Sequence, residues 1–288
     1  MAGPKVSILL PVHNGARHLR NALESLLHQT FTDFEIDVMN DGSTDDSAAI
    51  IQSYRDPRIR YHEQPNAGIS ASLNRLVAGA RGTYLARMDH DDWSHPNRLA
   101  AQVAHLEAHP ETVLVGSWIE VMDQEGRVTR TIRYPVTATG IQELMLLTNP
   151  IGHGSVMLRR VPELLYRSEF DDAEDLDLWE RLVVRYKMAN LPLPLYRWRE
   201  NPEGISTRRN RRQRMVARRV RARYRRWYLP RAHDLALTSA DLLAERCAVG
   251  SGALVIWKLR LVLLLLRSRA AGACALQARD LLRLPFLG

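Results

Sequence analysis

Three acidic residues cluster in the run Leu85-Ala-Arg-Met-Asp89-His90-Asp91-Asp92-Trp93, where an apolar, strand-like stretch from Thr83 to Met88 gives out. A strand that ends in an Asp-x-Asp turn presents two carboxylates to one hard divalent cation. Mg²⁺ and Mn²⁺ suit such a turn, because they keep several waters and complete their shell with substrate phosphates. The same side chains could instead cap the helix that the pattern starts near Ser94 and Pro96. A second polar turn is Asn40-Asp41-Gly42-Ser43-Thr44-Asp45-Asp46, in which Gly42 turns, Ser43 caps and Asp46 completes a capping-box-like pair. Asp41 stands outside that structural role. At a strand end its carboxylate can accept the imide N–H of a uracil or thymine ring. A third cluster, Glu174, Asp175 and Asp177, opens a helix, where acidic groups complement the helix dipole at about 0.3–1 kcal/mol each.

Chemistry by these residues requires elements that bring them together. Val6–Leu10, Phe34–Met39, Ile59–His62 and the run ending at Asp89 read as strands. Helical periodicity alternates with them over 16–29, 47–54 and 70–80, the first with a stripe at Leu19, Leu23, Leu26 and Leu27. Such alternation predicts βαβ units and a parallel sheet covered on both faces. Ligands of these sheets bind at the carboxyl ends of the strands. The polar turns at His13-Asn14, Asn40 to Ser43, Gln64 to Asn66 and Asp89 to Asp92 all follow strand ends, so they describe one rim. Farther on the pattern predicts a helix over 96–109, strands at 113–122 and 127–134, and a strand within 152–158. A helix from Ala173 with the stripe Leu176, Trp179, Val183 and Tyr186 follows, then a strand over 191–198. Pro, Gly and Ser between Asn201 and Thr207 mark a boundary, giving a compact domain over 1–207 and a helical region over 208–288.

An apolar content of 45% and a charged content of 25% are ordinary for a globular chain of 288 residues with a sizeable core. Cys247 and Cys274 make neither a disulfide framework nor zinc spacing, and no apolar leader precedes Val6. A cytoplasmic protein is expected. The net charge of +8 resembles a nucleic-acid signature until it is located: twelve Arg and no acid lie between Arg208 and Arg231. Without that segment the chain is net acidic. Val216, Val220, Tyr224 and Trp227 recur within it at helical spacing. A basic amphipathic helix reads as binding to an anionic membrane surface. Packing against the compact domain is the plainer alternative, and nucleic acid is the least favoured partner. Ala253–Leu266 is very apolar but is interrupted by Lys258 and Arg260, and it is shorter than the ~20 residues that span a bilayer. The segment 208–266 is thus expected to lie on the cytoplasmic face of the inner membrane, to pack on its neighbour or to make an oligomer contact.

Five motifs occur in order: Ser7 to Gly15, Asn40 to Asp45, Asn66-Ala-Gly68 through Asn74, Met88 to Asp92, and Ala173 to Trp179. Together they resemble family 2 of the nucleotide-sugar glycosyltransferases over roughly residues 4 to 207. The resemblance implies an α/β GT-A fold: a Rossmann-like, mostly parallel central sheet flanked by helices, here with a C-terminal helical appendage. It also implies a division of labour. Pro11, His13, Asn14 and Asn66 would bind the nucleotide sugar, His13 stacking where the family often has Tyr, and Asp41 would recognise the base. Asp91 would be the firmer ligand of Mn²⁺ or Mg²⁺, with Asp89 on the ribose or a metal-bound water. Such a cation neutralises the diphosphate leaving group. Asp92 would be structural or face the acceptor. Asp175 would be the one base, removing the acceptor proton in a direct, inverting displacement, typically worth ~10²–10⁴-fold.

Two departures qualify the resemblance. The family often has His after a Tyr-Arg pair, whereas this chain has Tyr196-Arg197-Trp198-Arg199. A guanidinium pairs with phosphate oxygens and does not ligate a metal, so Arg199 is expected on the diphosphate. Asn149-Pro-Ile-Gly-His153 is similar to an acceptor-side segment of the family, with His153 expected in a structural role. Arg223-Tyr-Arg-Arg226-Trp227 shares only the last two residues of the Gln-x-x-Arg-Trp motif of membrane-embedded synthases, which favours single-sugar addition. The implied reaction is transfer from a nucleoside diphosphate sugar, UDP-linked, to a glycan or lipid-linked acceptor in bacterial surface polysaccharide assembly. One alternative is a sugar-phosphate nucleotidyltransferase, but Pro11-Val-His-Asn-Gly-Ala lacks its Gly-rich, basic phosphate loop. Another is a non-catalytic adaptor, which would not need to keep Asp41, Asp89, Asp91 and Asp175.

Overall fold

The side chains of β1 (Val6–Val12) are buried along its whole length and divide between two cores. Val6, Ile8, Leu10 and Val12 enter one and Leu9 the other, following the two-residue period of a strand. A run apolar on both faces belongs in the middle of a sheet covered by helices. The computed structural model, which describes residues 3–201 and 210–232, places it there. β2 (Phe34–Asp41), β3 (Ile59–Gln64) and β4 (Tyr84–Arg87) join β1 in parallel. α1 (Ala16–Leu27), α2 (Ser47–Ser53) and α3 (Ile69–Gly79) connect them. After the short β5 (Trp93–Ser94) and α4 (Arg98–Ala108) come β6 (Thr112–Met122), β7 (Val128–Ile132), α5 (Ala138–Met145), β8 (Met157–Arg159), α6 (Glu174–Val183) and β9 (Lys187–Arg199). The strand order is β3-β2-β1-β4-β8-β6-β9-β5, with β7 on β6. β6 and β9 are parallel, while β8 runs antiparallel between β4 and β6. α1, α2 and α4 bury Leu19, Leu23, Leu26, Ile51, Leu99 and Leu106 on one face of this sheet. α3, α5 and α6 cover the other with Leu73, Leu76, Ile141, Met145, Leu178 and Trp179.

The strand expected over 152–158 is shorter and starts later. His153–Ser155 form a 3₁₀ turn and only Met157–Arg159 pair in the sheet. A Cβ at Gly154 would overlap the Tyr196 ring, so the glycine lets the backbone close over that side chain. α5 was not foreshadowed by its pattern; Thr137 caps it by accepting from the Gly140 N–H at 3.2 Å.

α7 (Asn210–Ala232) is the amphipathic helix expected in the Arg-rich segment. Val216, Val220, Tyr224 and Tyr228 are buried in the same core as α5 and α6, so the apolar stripe is spent inside the protein. Its inward arginines complete that packing. Arg223 bonds Glu180 and pairs with Asp177 at 2.7 Å, and the buried Asp177 also receives Arg167 and Arg181. Burial pushes the Asp177 carboxyl up, but the Arg167 and Arg223 hydrogen bonds outweigh it and leave it below its ordinary value. Asp177 therefore ties three segments together rather than merely complementing a helix end. The expected division at residue 207 lies outside the described residues, and packing continues beyond it. Ala253–Leu266 also lies outside them. Among the described residues, no helix is long and apolar enough to cross a membrane.

Candidate active site

A cleft of about 670 Å³ opens at the carboxyl ends of β1, β2 and β4, bounded by residues 149–154 and 171–175, by β9 and by α7. Its size is that of a site for a ligand of nucleotide dimensions. At one end the β2 carboxylate Asp41 is 5% exposed. Its Oδ1 accepts from Gln64 Nε2 at 2.6 Å and the Ala67 N–H at 2.9 Å; its Oδ2 accepts from the Gly68 N–H at 2.9 Å. These bonds fix the β3–α3 loop against β2. Gly42 holds φ +65° beside it, and a Cβ there would press on the Asn66 backbone. His13 donates from Nδ1 to the Asp41 carbonyl at 2.8 Å, and its Nε2 accepts from Asn66 Nδ2 at 3.2 Å. Pro11, His13, Asp41 and Asn66 all line the cleft.

Asn14 is not on the cleft wall but stands beside His13, its Nδ2 3.3 Å from His13 Nε2. It has φ 51°, accepts from the Thr44 N–H at 2.8 Å and takes the Ser43 hydroxyl on its own N–H at 3.0 Å. It braces the β2–α2 turn against the β1–α1 turn.

The acidic turn after β4 is organised by two arginines. Arg87 is buried, with a side chain 5% exposed, and pairs with Asp89 on the cleft wall. Beneath it the buried Arg98 donates to the carbonyls of Arg87 at 2.7 Å and Val156 at 3.1 Å, which holds the end of the strand. Asp92 is buried and accepts from the Tyr196 hydroxyl at 2.6 Å and the Arg199 N–H at 2.7 Å; of its two expected roles, this geometry gives it the structural one. Asp91 is half-buried next to them, and Asp89 is the one of the pair on the cleft wall. Burial, opposed by His90 and reinforced by Asp89, raises the Asp91 carboxyl above its ordinary value.

Arg199 braces the acidic turn from outside the cleft wall. Its guanidinium donates to the carbonyls of Asp91 at 2.9 Å, Asp123 at 2.9 Å and Gln124 at 2.8 Å. It borders a separate recess of about 420 Å³ beside Trp93 and Arg197. It therefore ties the acidic turn to the β6–β7 turn. Side chains alternate along β9, so Tyr196 and Trp198 take the cleft face and Arg197 and Arg199 the other. Trp198 was missed in the sequence, although this parity marks it.

Opposite the acidic turn lie Glu174 and Asp175 at the start of α6. Asp175 accepts from Asn149 Nδ2 at 2.6 Å and from the Leu176 N–H at 2.7 Å. Burial raises its carboxyl above the ordinary value, against both bonds and the charge of Arg87. Both oxygens are thus oriented while the group faces the cleft. His153 joins the cleft as well, its Nε2 3.1 Å from the Tyr166 hydroxyl and its Nδ1 3.8 Å from Glu174. Burial, helped by Arg87, pulls its pKa well down and keeps it neutral. Burial pushes the Glu174 carboxyl up to about 8, with Asp175 adding to the push. The unfolded chain loses that proton near the ordinary value of 4.5. Between those values the folded state binds more protons, so stability falls as pH rises through the window. Glu174→Gln is expected to melt above the parent at about pH 8 and close to it at about pH 5. Parallel melting curves across that range would contradict a buried, protonated Glu174.

Seven carboxyl groups line the cleft, from Asp41, Asp89, Asp92, Asp171, Asp172, Glu174 and Asp175. Arg87 is the one permanent cation on its wall among the described residues. Asp89 and Asp91 supply the hard oxygen donors that Mg²⁺ and Mn²⁺ prefer. Among the described residues, no three His, Cys, Asp or Glu side chains are grouped to hold an ion by themselves. The donor set fits a cation shared between protein carboxylates and a phosphate-bearing ligand.

Residues 7–164 match the sequence profile of Glycosyl transferase family 2. The Bacillus subtilis glycosyltransferase named EpsE is 35% identical over 217 residues, covering 72% of this chain and 77% of EpsE. A longer, uncharacterized glycosyltransferase of Rickettsia felis is 33% identical over 192 residues, and the match spans 31% of its length. S. aureus TarS 1–349, solved with UDP-GlcNAc, aligns with a TM-score of 0.64 at 18% identity, covering 96% of this chain and 89% of TarS 1–349. Mannosyltransferase PcManGT from Pyrobaculum calidifontis, solved with GDP-Man and Mn2+, aligns with a TM-score of 0.58 at 18% identity, covering 98% and 86%. At that identity the likeness shows the fold, the GT-A arrangement of a curled, mostly parallel sheet between helices.

Proposed function

This chain belongs to glycosyl transferase family 2, and on that premise we propose that it is a divalent-metal-dependent, inverting hexosyltransferase. Its donor is a nucleoside diphosphate sugar, UDP-linked, and its acceptor a hydroxyl of a glycan or lipid-linked glycan in bacterial surface polysaccharide assembly. The observation that carries this reading is the meeting of Asp41, Asp89 and Asp175, from three distant stretches of chain, on one cleft. The complexes of TarS with UDP-GlcNAc and of PcManGT with GDP-Man and Mn2+ support a nucleotide-sugar donor and a divalent ion.

Each group has a task in this reading. Asp41, already fixed by three N–H donors, keeps lone pairs for the imide N–H of the base, and His13 offers a flat, exposed ring above it. Asp89 and Asp91 hold Mn²⁺ or Mg²⁺, which when bound stabilises the charge that develops on the departing diphosphate. Arg87 stays paired to Asp89 and tempers the crowded carboxylates. Asp175 takes the proton of the acceptor hydroxyl as its oxygen forms the bond to the anomeric carbon and the bond to the diphosphate breaks. Asn149 holds that carboxylate in place.

Incubation with a panel of UDP- and GDP-sugars, with and without Mn²⁺, tests the reading by thermal shift and by release of nucleoside diphosphate. One UDP-sugar is expected to protect the protein and to be slowly hydrolysed only when Mn²⁺ is present. Release of pyrophosphate from UTP and a sugar phosphate would identify nucleotidyl transfer instead, and binding of no nucleotide sugar would end the proposal.

A further inference from the structure

The outward face of α7 carries charge that the transfer reaction leaves unused. Arg214, Arg218, Arg219 and Arg226 are exposed, and the helix contains no acidic residue. Other arginines of the helix are matched: the exposed Arg212 pairs with Asp172 at 3.2 Å, and the half-buried Arg223 with Asp177 and Glu180. Among the described residues Arg214, Arg218 and Arg226 form no ion pair. Arg214 and Arg218 lie one turn apart, while Arg221 and Arg225 beside them are half-buried and Arg225 donates to the Leu146 carbonyl at 2.7 Å. From Arg214 to Arg226 the exposed guanidinium groups span about 18 Å at the helical rise. Burial and the neighbouring Arg225 and Arg218 guanidinium groups pull Arg221 below its ordinary pKa. Like charges crowded in this way favour a partner that supplies many negative charges.

The packing of α7 restricts what that partner is. Val216, Val220, Tyr224 and Tyr228 are buried, so the helix has no apolar stripe to insert. Tyr224 stacks within the protein on the half-buried Trp227, so neither is a free platform for stacking bases, a feature that single-strand binders use. The exposed surface is a convex, cationic ridge, which fits an array of phosphate headgroups. Gln213, on the inner side of the same helix, lines the cleft. A surface touching the outer side is then about one helix diameter, ~10–12 Å, from the cleft rim.

We propose that α7 docks the protein on an anionic lipid surface through Arg214, Arg218, Arg219 and Arg226, by electrostatic attraction without insertion. The docking is independent of the transfer reaction; only its benefit, holding the cleft rim beside lipid-linked acceptors, rests on the proposed function. The test is flotation of the full chain with phosphatidylcholine vesicles, with and without phosphatidylglycerol, at low and high salt. The parent is expected to float only with the anionic vesicles and to be released by salt. The triple variant R214Q/R218Q/R226Q is expected to partition about 100-fold less, at the usual contribution of a surface-bound Arg. Mn²⁺-dependent donor hydrolysis in solution is expected to match between variant and parent, which shows the variant folded and reads the transfer chemistry separately. Equal partitioning of variant and parent, flotation with neutral vesicles, or binding that survives high salt would overturn the docking face. Displacement of the vesicles by a small excess of duplex DNA would overturn the lipid as its partner.

Discussion

Asp175→Asn is expected to bind the donor as the parent does and to lose turnover by about 10²–10⁴-fold, the usual worth of a positioned general base. The substitution keeps the size of the side chain and an oxygen for the Leu176 N–H, which now bonds at 2.7 Å. It removes the charge that accepts the acceptor proton. Donor affinity, read by titration of the nucleotide sugar with Mn²⁺ present, rests on residues at the other end of the cleft and is expected to stay within a few-fold. Single-turnover transfer to acceptor carries the loss. Burial lifts the Asp175 carboxyl, and a base works only once deprotonated. The parent's rate is therefore expected to climb as pH rises through that raised value, and the variant is expected to lack this limb. Near-parent transfer by Asp175→Asn would remove it as base. Glu174 would then be the neighbour to test, since its own carboxyl holds its proton to about 8.

Much of this cleft was legible because parallel sheets deliver strand ends to one rim. The end of β2 carries Asp41 and the turns after β1, β3 and β4 carry His13, Asn66 and Asp89, and the alternation of apolar strands with helices was enough to place them together. What stayed hidden depended on contacts that one segment's pattern does not contain. Asn149 orients Asp175 across a separation of 26 residues, and no local spacing announces such a pair. For Arg199 the motif position alone does not give the face of the strand: the two-residue period sends Trp198 to the cleft and Arg199 away from it. Asn14 looked like a binding residue because it follows a strand end, but its left-handed backbone and its bonds to Ser43 and Thr44 commit it to the turn. The apolar stripe of α7 was readable, but its partner was not. An amphipathic helix looks the same whether it faces lipid or its own core, and only the burial of Val220 and Tyr224 settles that.

Asp91→Ala is expected to abolish the tightening of UDP binding by Mn²⁺ and to lower the transfer rate by more than about 100-fold, the effect of several kcal/mol of lost charge stabilisation. The physical argument is the charge on the cleft wall. Seven carboxyl groups line the wall. Glu174 holds its proton to about 8 and Asp172 is paired with Arg212. Asp41, Asp89, Asp171 and Asp175 face the guanidinium of Arg87, the one such group on the wall among the described residues, and Arg87 is already paired with Asp89. A diphosphate brought into such a cleft meets repulsion that this one cation does not offset, so a divalent ion has to enter with it. Asp89 pairs with Arg87 and Asp92 is held by the Tyr196 hydroxyl and the Arg199 backbone N–H, which leaves Asp91 as the carboxylate of the turn without a side-chain partner among the described residues. Its raised pKa, caused first by burial, means that it must give up its proton to bind a metal. Mn²⁺-dependent affinity is accordingly expected to weaken as pH falls through that raised value. Asp89→Ala is expected to act differently, because it also frees Arg87 to approach the diphosphate. In that variant part of the UDP affinity should persist without metal. Isothermal titration of UDP into parent, Asp91→Ala and Asp89→Ala, each with and without Mn²⁺, separates these outcomes. If Mn²⁺ strengthens binding equally in the parent and in Asp91→Ala, the ion is held elsewhere and the acidic turn serves only to support β9 through Asp92.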